Sequence, residues 1–109
     1  MVTWNDFEKI DMRVGTIVEI NDFPKAKKPA YQLRIDFGEL GIKVSSAQIT
    51  SFYTKDSLMG KQVIAVVNFP PKQIANFISE CLVLGVYTGN KEVILLQPER
   101  GTLNGGKIG

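Results

Sequence analysis

The sequence predicts a small all-β domain, a five-stranded barrel with a short N-terminal helix and a C-terminal extension. Short segments that alternate apolar and polar residues recur along the chain, turn-forming glycines and prolines separate them, and little of the sequence has helical spacing. The 109 residues have the length of one domain, so we treat residues 1–109 as a single unit.

The first predicted element is a helix over residues 4–10. Thr3 and Asp6 have the spacing of a capping box, with aspartate in place of the usual glutamate. The apolar residues of the helix share one face: Trp4, Phe7 and Ile10. A small barrel offers this face little to pack against. We therefore hypothesise that it packs across a two-fold axis with the C-terminal extension, including Ile108, in a homodimer.

Six strands are predicted after this helix, at residues 12–20, 31–37, 42–45, 62–69, 81–87 and 93–96. Gly15 predicts a bulge or a sharp bend in the first strand. Residues 46–59 are expected to be polar and irregular, with one or two helical turns. After the break at Pro70-Pro71, residues 72–77 are expected to form one turn that brings Ile74 and Phe77 together.

The composition argues against catalysis. The chain has no histidine, which removes the commonest general base and a leading metal ligand. Its single cysteine, Cys81, lies in an apolar run and is interpreted as a buried thiol. The acidic residues are scattered, and the glycines of residues 101–109 lack the spacing of a phosphate-binding loop. We expect a binding protein without enzymatic activity, cofactor or metal.

The chain is expected to be cytoplasmic and not inserted in a membrane. No apolar run approaches the ~20 residues that span a bilayer, and the N-terminus has acids where a signal peptide has basic residues. One cysteine provides no disulfide framework. The net charge is only +2, so any nucleic acid has to be bound by a local patch.

Three blocks of sequence go beyond the fold class. They are residues 6–20, residues 44–49, and residues 68–74 followed by 79–84. In order and spacing they resemble the tRNA-binding OB domain, a family of free dimeric proteins and appendages of some aminoacyl-tRNA synthetases. The resemblance covers nearly the whole chain. It implies a barrel of the OB type, which fits the strand count, although alternation alone does not separate that barrel from other small ones.

Within that family the chain is most similar to the CsaA-type chaperones, short stand-alone bacterial and archaeal proteins. The likeness rests on VSSAQI, KQVIAVVNFPP, VILLQP and the ending Lys107-Ile108-Gly109. It implies a homodimer that engages unfolded or precursor proteins in connection with the export machinery. The wider family implies tRNA as the alternative partner. Two departures weaken that alternative: Gln73 replaces the second of two basic residues, and Cys81-Leu82 replaces Gly-Met after Ser79-Glu80.

The candidate RNA-binding residues are Arg34, Lys43, Ser45, Ser46, Asn68, Lys72, Ser79 and Glu80. Lys72 has the best claim as a phosphate ligand. Arg34 and Lys43, at predicted outward positions of neighbouring strands, either line a basic face or are ordinary surface charges. The serines donate to phosphates or satisfy nearby backbone groups. Asn68 either reaches a base or caps its turn, and Glu80 either accepts from a base or holds Lys72.

The candidate peptide-binding residues are Phe52, Tyr53, Phe69, Pro70, Pro71 and Phe77. Core packing explains most aromatic residues in most domains, but an apolar turn with two prolines is expected at the surface. The lysines of the loop at residues 24–29 either steer phosphates or keep the loop solvated. We therefore predict passive binding of apolar peptide segments, with tRNA binding as the second hypothesis and a subunit-docking module as the third.

Overall fold

The computed structural model describes residues 1–109. Helix α1 covers Trp4–Glu8, shorter than predicted, and begins with the predicted capping box: the Asp6 N–H donates to the Thr3 hydroxyl, and the Thr3 N–H donates to the Asp6 carboxylate. A second short helix, α2, covers Lys55–Leu58 inside the predicted irregular segment. None of the helices has the length or apolar character needed to cross a membrane.

Nine strands form the rest of the ordered framework: β1 Met12–Asp22, β2 Tyr31–Asp36, β3 Ile42–Ala47, β4 Gln62–Val66, β5 Lys72–Ile74, β6 Phe77–Ser79, β7 Leu82–Val83, β8 Gly85–Tyr87 and β9 Val93–Leu95. Five of them form one antiparallel sheet in the order β3-β2-β1-β4-β7, which curls into a nearly closed OB-type barrel. The pairs β5-β6 and β8-β9 are separate hairpins. The predicted all-β fold class is confirmed.

Strand β1 is long enough to serve two neighbours. Its first half pairs with β4 and its second half with β2. The register shifts between Ile17 and Glu19, so the bulge is at Val18. The predicted bulge at Gly15 is therefore wrong. Gly15 is needed for a different reason: a Cβ there would lie 2.6 Å from the Ile35 side chain and 2.7 Å from the Phe37 ring. Close packing of two strands against the core therefore explains this glycine.

The core fills the barrel and is formed largely by the alternating strands. The largest fully buried side chains are Phe37, Ile17, Leu33, Ile35, Leu58 and Val63. Tyr31 packs at the edge of this cluster, and its hydroxyl donates to the Tyr53 carbonyl at 2.9 Å. The apolar stripe of β2 is thus buried as its alternation predicts.

Two segments differ from the sequence prediction. Residues 72–77 form no helical turn: β5 and β6 make a tight hairpin in which Ile74 pairs directly with Phe77. The two residues are together, as expected, but through a turn in which Ala75 has a φ of +52°. The predicted fifth strand is split into β7 and β8, because Leu82–Val83 pairs with β4 while Gly85–Tyr87 pairs with β9.

The C-terminal extension completes the barrel wall along the free edge of β1. Val14 donates its N–H to the Gly106 carbonyl and accepts from the Gly105 N–H, at 2.9 and 2.7 Å. The Ile108 N–H donates to the Met12 carbonyl at 2.9 Å. The tail therefore occupies backbone positions that β2 leaves unpaired.

Candidate functional site

An open groove of about 340 Å³ lies between the turn after β4, the β5-β6 hairpin and the facing edges of β3 and β7. Its lining residues are Ser46, Phe69, Pro70, Lys72, Ile74, Ser79, Glu80, Cys81 and Leu82. Residues from both predicted sites meet here, because Phe69 and Pro70 were peptide candidates while Lys72 and Ser79 were RNA candidates. We call it the FPP groove, after the sequence Phe69-Pro70-Pro71 at its rim.

The apolar side of the FPP groove is exposed. Phe69 is 53% exposed, and Pro70 and Pro71 are exposed beside it. Strand β4 has already ended at Val66, and Pro70 and Pro71 cannot donate to a neighbouring strand, so the strand does not resume after Phe69. Pro71 lies at the rim but does not line the groove. An exposed aromatic ring on such a turn is a typical interaction surface.

Lys72 and Ser79 face each other across the β5-β6 hairpin and both line the groove. Lys72 is exposed and forms no ion pair with Glu80 or any other acid of the chain. Its ammonium group is therefore free to meet an anionic ligand. Gln73, which stands where the wider family has a second basic residue, donates from its amide to the Ala75 carbonyl at 3.2 Å and closes the hairpin turn.

Three of the RNA candidates instead hold the barrel seam, where the β3 edge meets residues 79–81. The buried Ser45 hydroxyl donates to the Cys81 carbonyl at 2.9 Å, so its predicted phosphate contact is wrong in this conformation. The Ser79 hydroxyl accepts from the Ser46 N–H at 3.1 Å. The Glu80 carboxylate accepts from the Val44 N–H at 3.0 Å. For the two serines the structure favours the alternative that they satisfy backbone groups. Glu80 holds the Val44 N–H and not Lys72, which we did not predict.

The expected basic face of Arg34 and Lys43 does not form. Arg34 pairs with Val44 and Ile35 pairs with Lys43, and residues directly opposite in a ladder point to the same side of the sheet. Since Arg34 and Ile35 are successive residues, Arg34 and Lys43 lie on opposite faces. The prediction that both are outward is therefore wrong. Arg34 is exposed, whereas Lys43 is half-buried on the side that carries the core.

Asn68 fixes the junction between α1 and β1. Its side-chain carbonyl accepts from the Asp11 N–H at 2.9 Å, and its amide donates to the Lys9 carbonyl at 2.7 Å. Asn68 does not cap its own turn, and it does not line the FPP groove. Both ends of the side chain are used to hold residues 9–11, so the structure assigns Asn68 a positioning role next to Phe69.

The remaining aromatic candidates are spread over the molecule. Phe77 packs edge-on against Phe23, with ring centroids 5.5 Å apart. Tyr53 is half-buried, and its hydroxyl accepts from the Leu95 N–H at 3.0 Å. Phe52 is 50% exposed but does not line the FPP groove. Among the six peptide candidates, only Phe69 and Pro70 line the groove itself.

Basic residues surround the groove. A neighbouring hollow is lined by Lys25, Lys27 and Lys28, and a second one by Lys91; both share Ser46 with the FPP groove. The three linings together contain five lysines and one glutamate, a net of +4. Since the whole chain carries +2, the rest of the molecule carries −2, and the positive charge is concentrated on this face.

Cys81 lines the groove but is buried, as the sequence predicted. Burial raises the pKa of its thiol to about 11. The thiol is therefore protonated at neutral pH and is a poor nucleophile.

The four predicted dimer residues are exposed or half-buried in the single chain. Trp4 is 80% exposed and Ile10 44%, while Phe7 and Ile108 are half-buried. These four residues keep their predicted role as a hypothesis.

Sequence reasoning missed Ile74 and Leu82 as lining residues of the FPP groove. Ile74 was predicted in a turn beside Phe77 and Leu82 in the fifth strand, and neither was predicted to line a site. The signal was available for Leu82, because it alternates with Cys81 and Val83, which point to the core. No comparable signal marked Ile74.

The barrel and its mixed apolar and basic groove define an OB-type binding domain. The family model described as "Putative tRNA binding domain" matches residues 12–107. The crystal structure of a CsaA chaperone protein from Picrophilus torridus is 62% identical, covers 100% of both chains and has a TM-score of 0.94. The chaperone CsaA of Bacillus anthracis is 50% identical, covers 100% of this chain and 99% of its own, and has a TM-score of 0.95. The chain belongs to the tRNA-binding domain family and, within it, to the CsaA-type proteins.

A methionine–tRNA ligase of Nanoarchaeum equitans is 36% identical over 108 residues. That match covers 99% of this chain but 14% of the ligase. The chain therefore spans a small part of such enzymes, and their ligase activity is not carried over to it.

Proposed function

We propose that this protein is a molecular chaperone that holds apolar segments of unfolded or precursor polypeptides in the FPP groove. The observation that carries the proposal is the groove itself, where an exposed Phe69 ring and Pro70 adjoin Ile74 and Leu82. The full-length likeness to two proteins named CsaA chaperone supports it. Lys72 at the rim favours segments in which acidic residues flank the apolar ones.

Binding is proposed to be passive, without an ATP cycle, and to occur in the cytoplasm before precursors reach the export machinery. The working form is proposed to be a homodimer in which Trp4, Phe7, Ile10 and Ile108 meet their counterparts. Its supporting observation is the 80% exposure of Trp4 on a short terminal helix. Light scattering of the wild type and of Trp4→Ala measures the mass directly; a monomeric wild type at micromolar concentration would reject the dimer.

The test uses fluorescein-labelled, reduced and carboxymethylated α-lactalbumin, an acidic chain that stays unfolded. Phe69→Ala is expected to weaken its binding by at least tenfold, because the variant removes the largest exposed apolar surface of the groove. Phe52→Ala is the matched control, since Phe52 is similarly exposed but lies outside the groove. Equal losses in both variants, or no binding by the wild type, would contradict the proposal.

The second candidate function is binding of folded tRNA on the same face. The five lysines around the groove favour it, together with the family to which the chain belongs. Labelled tRNA is titrated at several salt concentrations. Lys72→Ala is expected to weaken binding and to lower the salt slope by about one, the effect of a single lost phosphate contact.

Lys107→Ala serves as the control for that titration, because Lys107 is exposed and lines none of the three hollows. If both lysine variants have the wild-type slope, tRNA does not use this groove. If tRNA displaces the unfolded chain, the two ligands share one surface.

A further inference from the structure

The C-terminal tail contains the only asparagine of the chain that is followed by glycine, Asn104-Gly105. An asparagine in this position is prone to deamidation, because the next main-chain nitrogen can attack the side-chain carbonyl carbon. A glycine presents no side chain to hinder that attack, and its backbone is free to bend towards it. The attack forms a five-membered succinimide ring and releases ammonia. Water then opens the ring to aspartate or isoaspartate.

The fold requires the glycine of this pair. Gly105 has a φ of +88°, and a Cβ at this position would lie 2.6 Å from the Phe37 carbonyl oxygen. A residue with a side chain is therefore strained here both by its backbone conformation and by lack of space. Pairing of the tail with β1 thus depends on the same residue that makes Asn104 reactive.

The Asn104 side chain is half-buried and is held by its oxygen. Its Oδ1 atom accepts from the Thr16 hydroxyl at 2.6 Å and from the Gln62 amide at 3.2 Å. The Thr102 main chain orients the Gln62 amide, whose oxygen accepts from the Thr102 N–H and whose nitrogen donates to the Thr102 carbonyl. The Asn104 atom that faces the Gln62 nitrogen is therefore the oxygen. Both groups that hold this side chain are donors.

The attacking nitrogen is also engaged in the folded chain. The Gly105 N–H donates to the Val14 carbonyl at 2.7 Å, and this nitrogen has to give up its proton before it can attack. The Gly105 carbonyl accepts from the Arg13 guanidinium at 3.1 Å. Both polar groups of Gly105 are thus tied to β1. The main chain cannot turn this nitrogen towards the Asn104 side chain unless the tail first detaches.

We propose that Asn104 is a site of spontaneous deamidation whose rate is set by release of the C-terminal tail from β1. While the tail is paired, its hydrogen bonds protect the Asn-Gly pair, and when it detaches the pair reacts as in an unfolded chain. The Gly105 nitrogen bonds to Cγ of Asn104, and the side-chain amino group leaves with the displaced proton as ammonia. Water then adds across the succinimide, and no oxidant, reductant or metal takes part.

The two products have different consequences for the tail. An aspartate at position 104 presents a carboxylate to the same two donors, Thr16 and Gln62, so the tail can pair again. An isoaspartate adds a methylene group to the main chain between residues 104 and 105. That insertion shifts Gly105 and Gly106 out of register with Val14, to which both are hydrogen-bonded. Formation of isoaspartate therefore leaves the edge of β1 open.

The test follows deamidation at Asn104 by mass spectrometry of the digested protein, which is incubated folded in buffer or unfolded in urea at the same mildly alkaline pH. The folded chain is expected to react at least about tenfold more slowly, because only molecules with a released tail are reactive. A synthetic peptide of residues 101–109 in both solutions corrects for any effect of urea itself. Equal rates in the folded and unfolded chain would overturn the gating, and no reaction in the unfolded chain would overturn the site.

Two glutamine variants test the gate within the folded protein. Gln62→Ala removes the hydrogen bonds of this side chain to Thr102 and Asn104. It should raise the deamidation rate roughly fivefold, together with the rate of amide exchange at Gly105. Gln97→Ala is the matched control, because the Gln97 amide donates to the Gln62 carbonyl and forms no hydrogen bond with the tail. Faster exchange at Gly105 without faster deamidation would reject tail pairing as the gate.

Asn104→Asp tests the account of the products. The variant is expected to show amide exchange at Gly105 no faster than the wild type, because the carboxylate keeps both donors. Faster exchange in this variant would contradict the inference that the site accepts the aspartate product. The comparison of folded and unfolded wild-type protein does not depend on whether any variant folds.

Discussion

Replacing Ser45 and Ser79 by alanine, singly and together, tests whether two hydroxyl groups hold the barrel seam closed. The Cys81 carbonyl accepts from the Ser45 hydroxyl at 2.9 Å and from the Ser79 hydroxyl at 3.3 Å. Each single variant leaves that carbonyl one partner. Ser45→Ala is expected to lower the free energy of unfolding by about 1 kcal/mol, and Ser79→Ala by about 2 kcal/mol, because the Ser79 hydroxyl also accepts from the Ser46 N–H. The double variant leaves it none, in a residue that is 6% exposed. An unsatisfied buried carbonyl costs a further ~1–2 kcal/mol.

The assay is urea denaturation of all four proteins, followed by circular dichroism and intrinsic fluorescence. When Ser45→Ala is heated, its circular dichroism is expected to show a midpoint of thermal unfolding roughly 4–8 °C below that of the wild type. The loss in the double variant should exceed the sum of the single losses by about 1 kcal/mol, because the two hydroxyls share one acceptor. A double variant whose loss equals that sum within ~0.3 kcal/mol would show that the two hydroxyls act independently and do not share this acceptor, and would refute the reasoning.

Three further substitutions test other parts of the structure. Gly15→Ala is expected to destabilise the fold by ~1–3 kcal/mol in urea, because its methyl group would overlap Ile35 and Phe37; an unchanged midpoint contradicts this packing. Asn68→Ala removes two hydrogen bonds at the α1–β1 junction and should cost ~1–3 kcal/mol while speeding amide exchange at residue 11; wild-type exchange there would argue against a positioning role. Stability should fall as pH rises from 9 towards 11, because the Cys81 thiol ionises near 9.0 when unfolded but has a pKa of about 11 when folded. Cys81→Ala should lose this part of the pH dependence, and an equal slope in both proteins would show that another group causes it.

The sequence predicted those parts of the fold that depend on local chemistry. The capping box of α1 and the buried stripe of β2 follow from the spacing of a few residues, and both are present. The β5-β6 hairpin was missed because its two-residue turn, Ala75-Asn76, contains no glycine. Ala75 adopts a φ of +52°, which is uncommon for residues other than glycine, and Asn76 alone is a weak turn signal.

The candidate site was harder to predict because it depends on register. Ser45 reads as a surface residue, yet it lies opposite Leu33 and is 1% exposed. Lys43 lies on the same inward face of β3 as Ser45. With two polar residues on that face, the alternation of apolar and polar residues does not identify the core side of β3 in the sequence. A shift of one residue in the pairing would exchange the two faces. Gly38 and Gly41 mark the turn between β2 and β3, but their presence alone does not specify which residues pair. Phe69, by contrast, was found because a double proline marks the surface turn that follows it, and Lys72 because the resemblance to the tRNA-binding domain implies a basic residue after that turn.

The pairing of the tail with β1 has a consequence for how the chain folds. Arg13 donates to the Gly105 carbonyl across 92 residues of sequence. Contacts of such separation form late, because the loop between them has to close first. During synthesis the edge of β1 around Val14 therefore stays open until residues 105–108 have left the ribosome. A newly made copy of this protein therefore exposes an unpaired strand edge for that interval, and such an edge is a template for pairing with another chain.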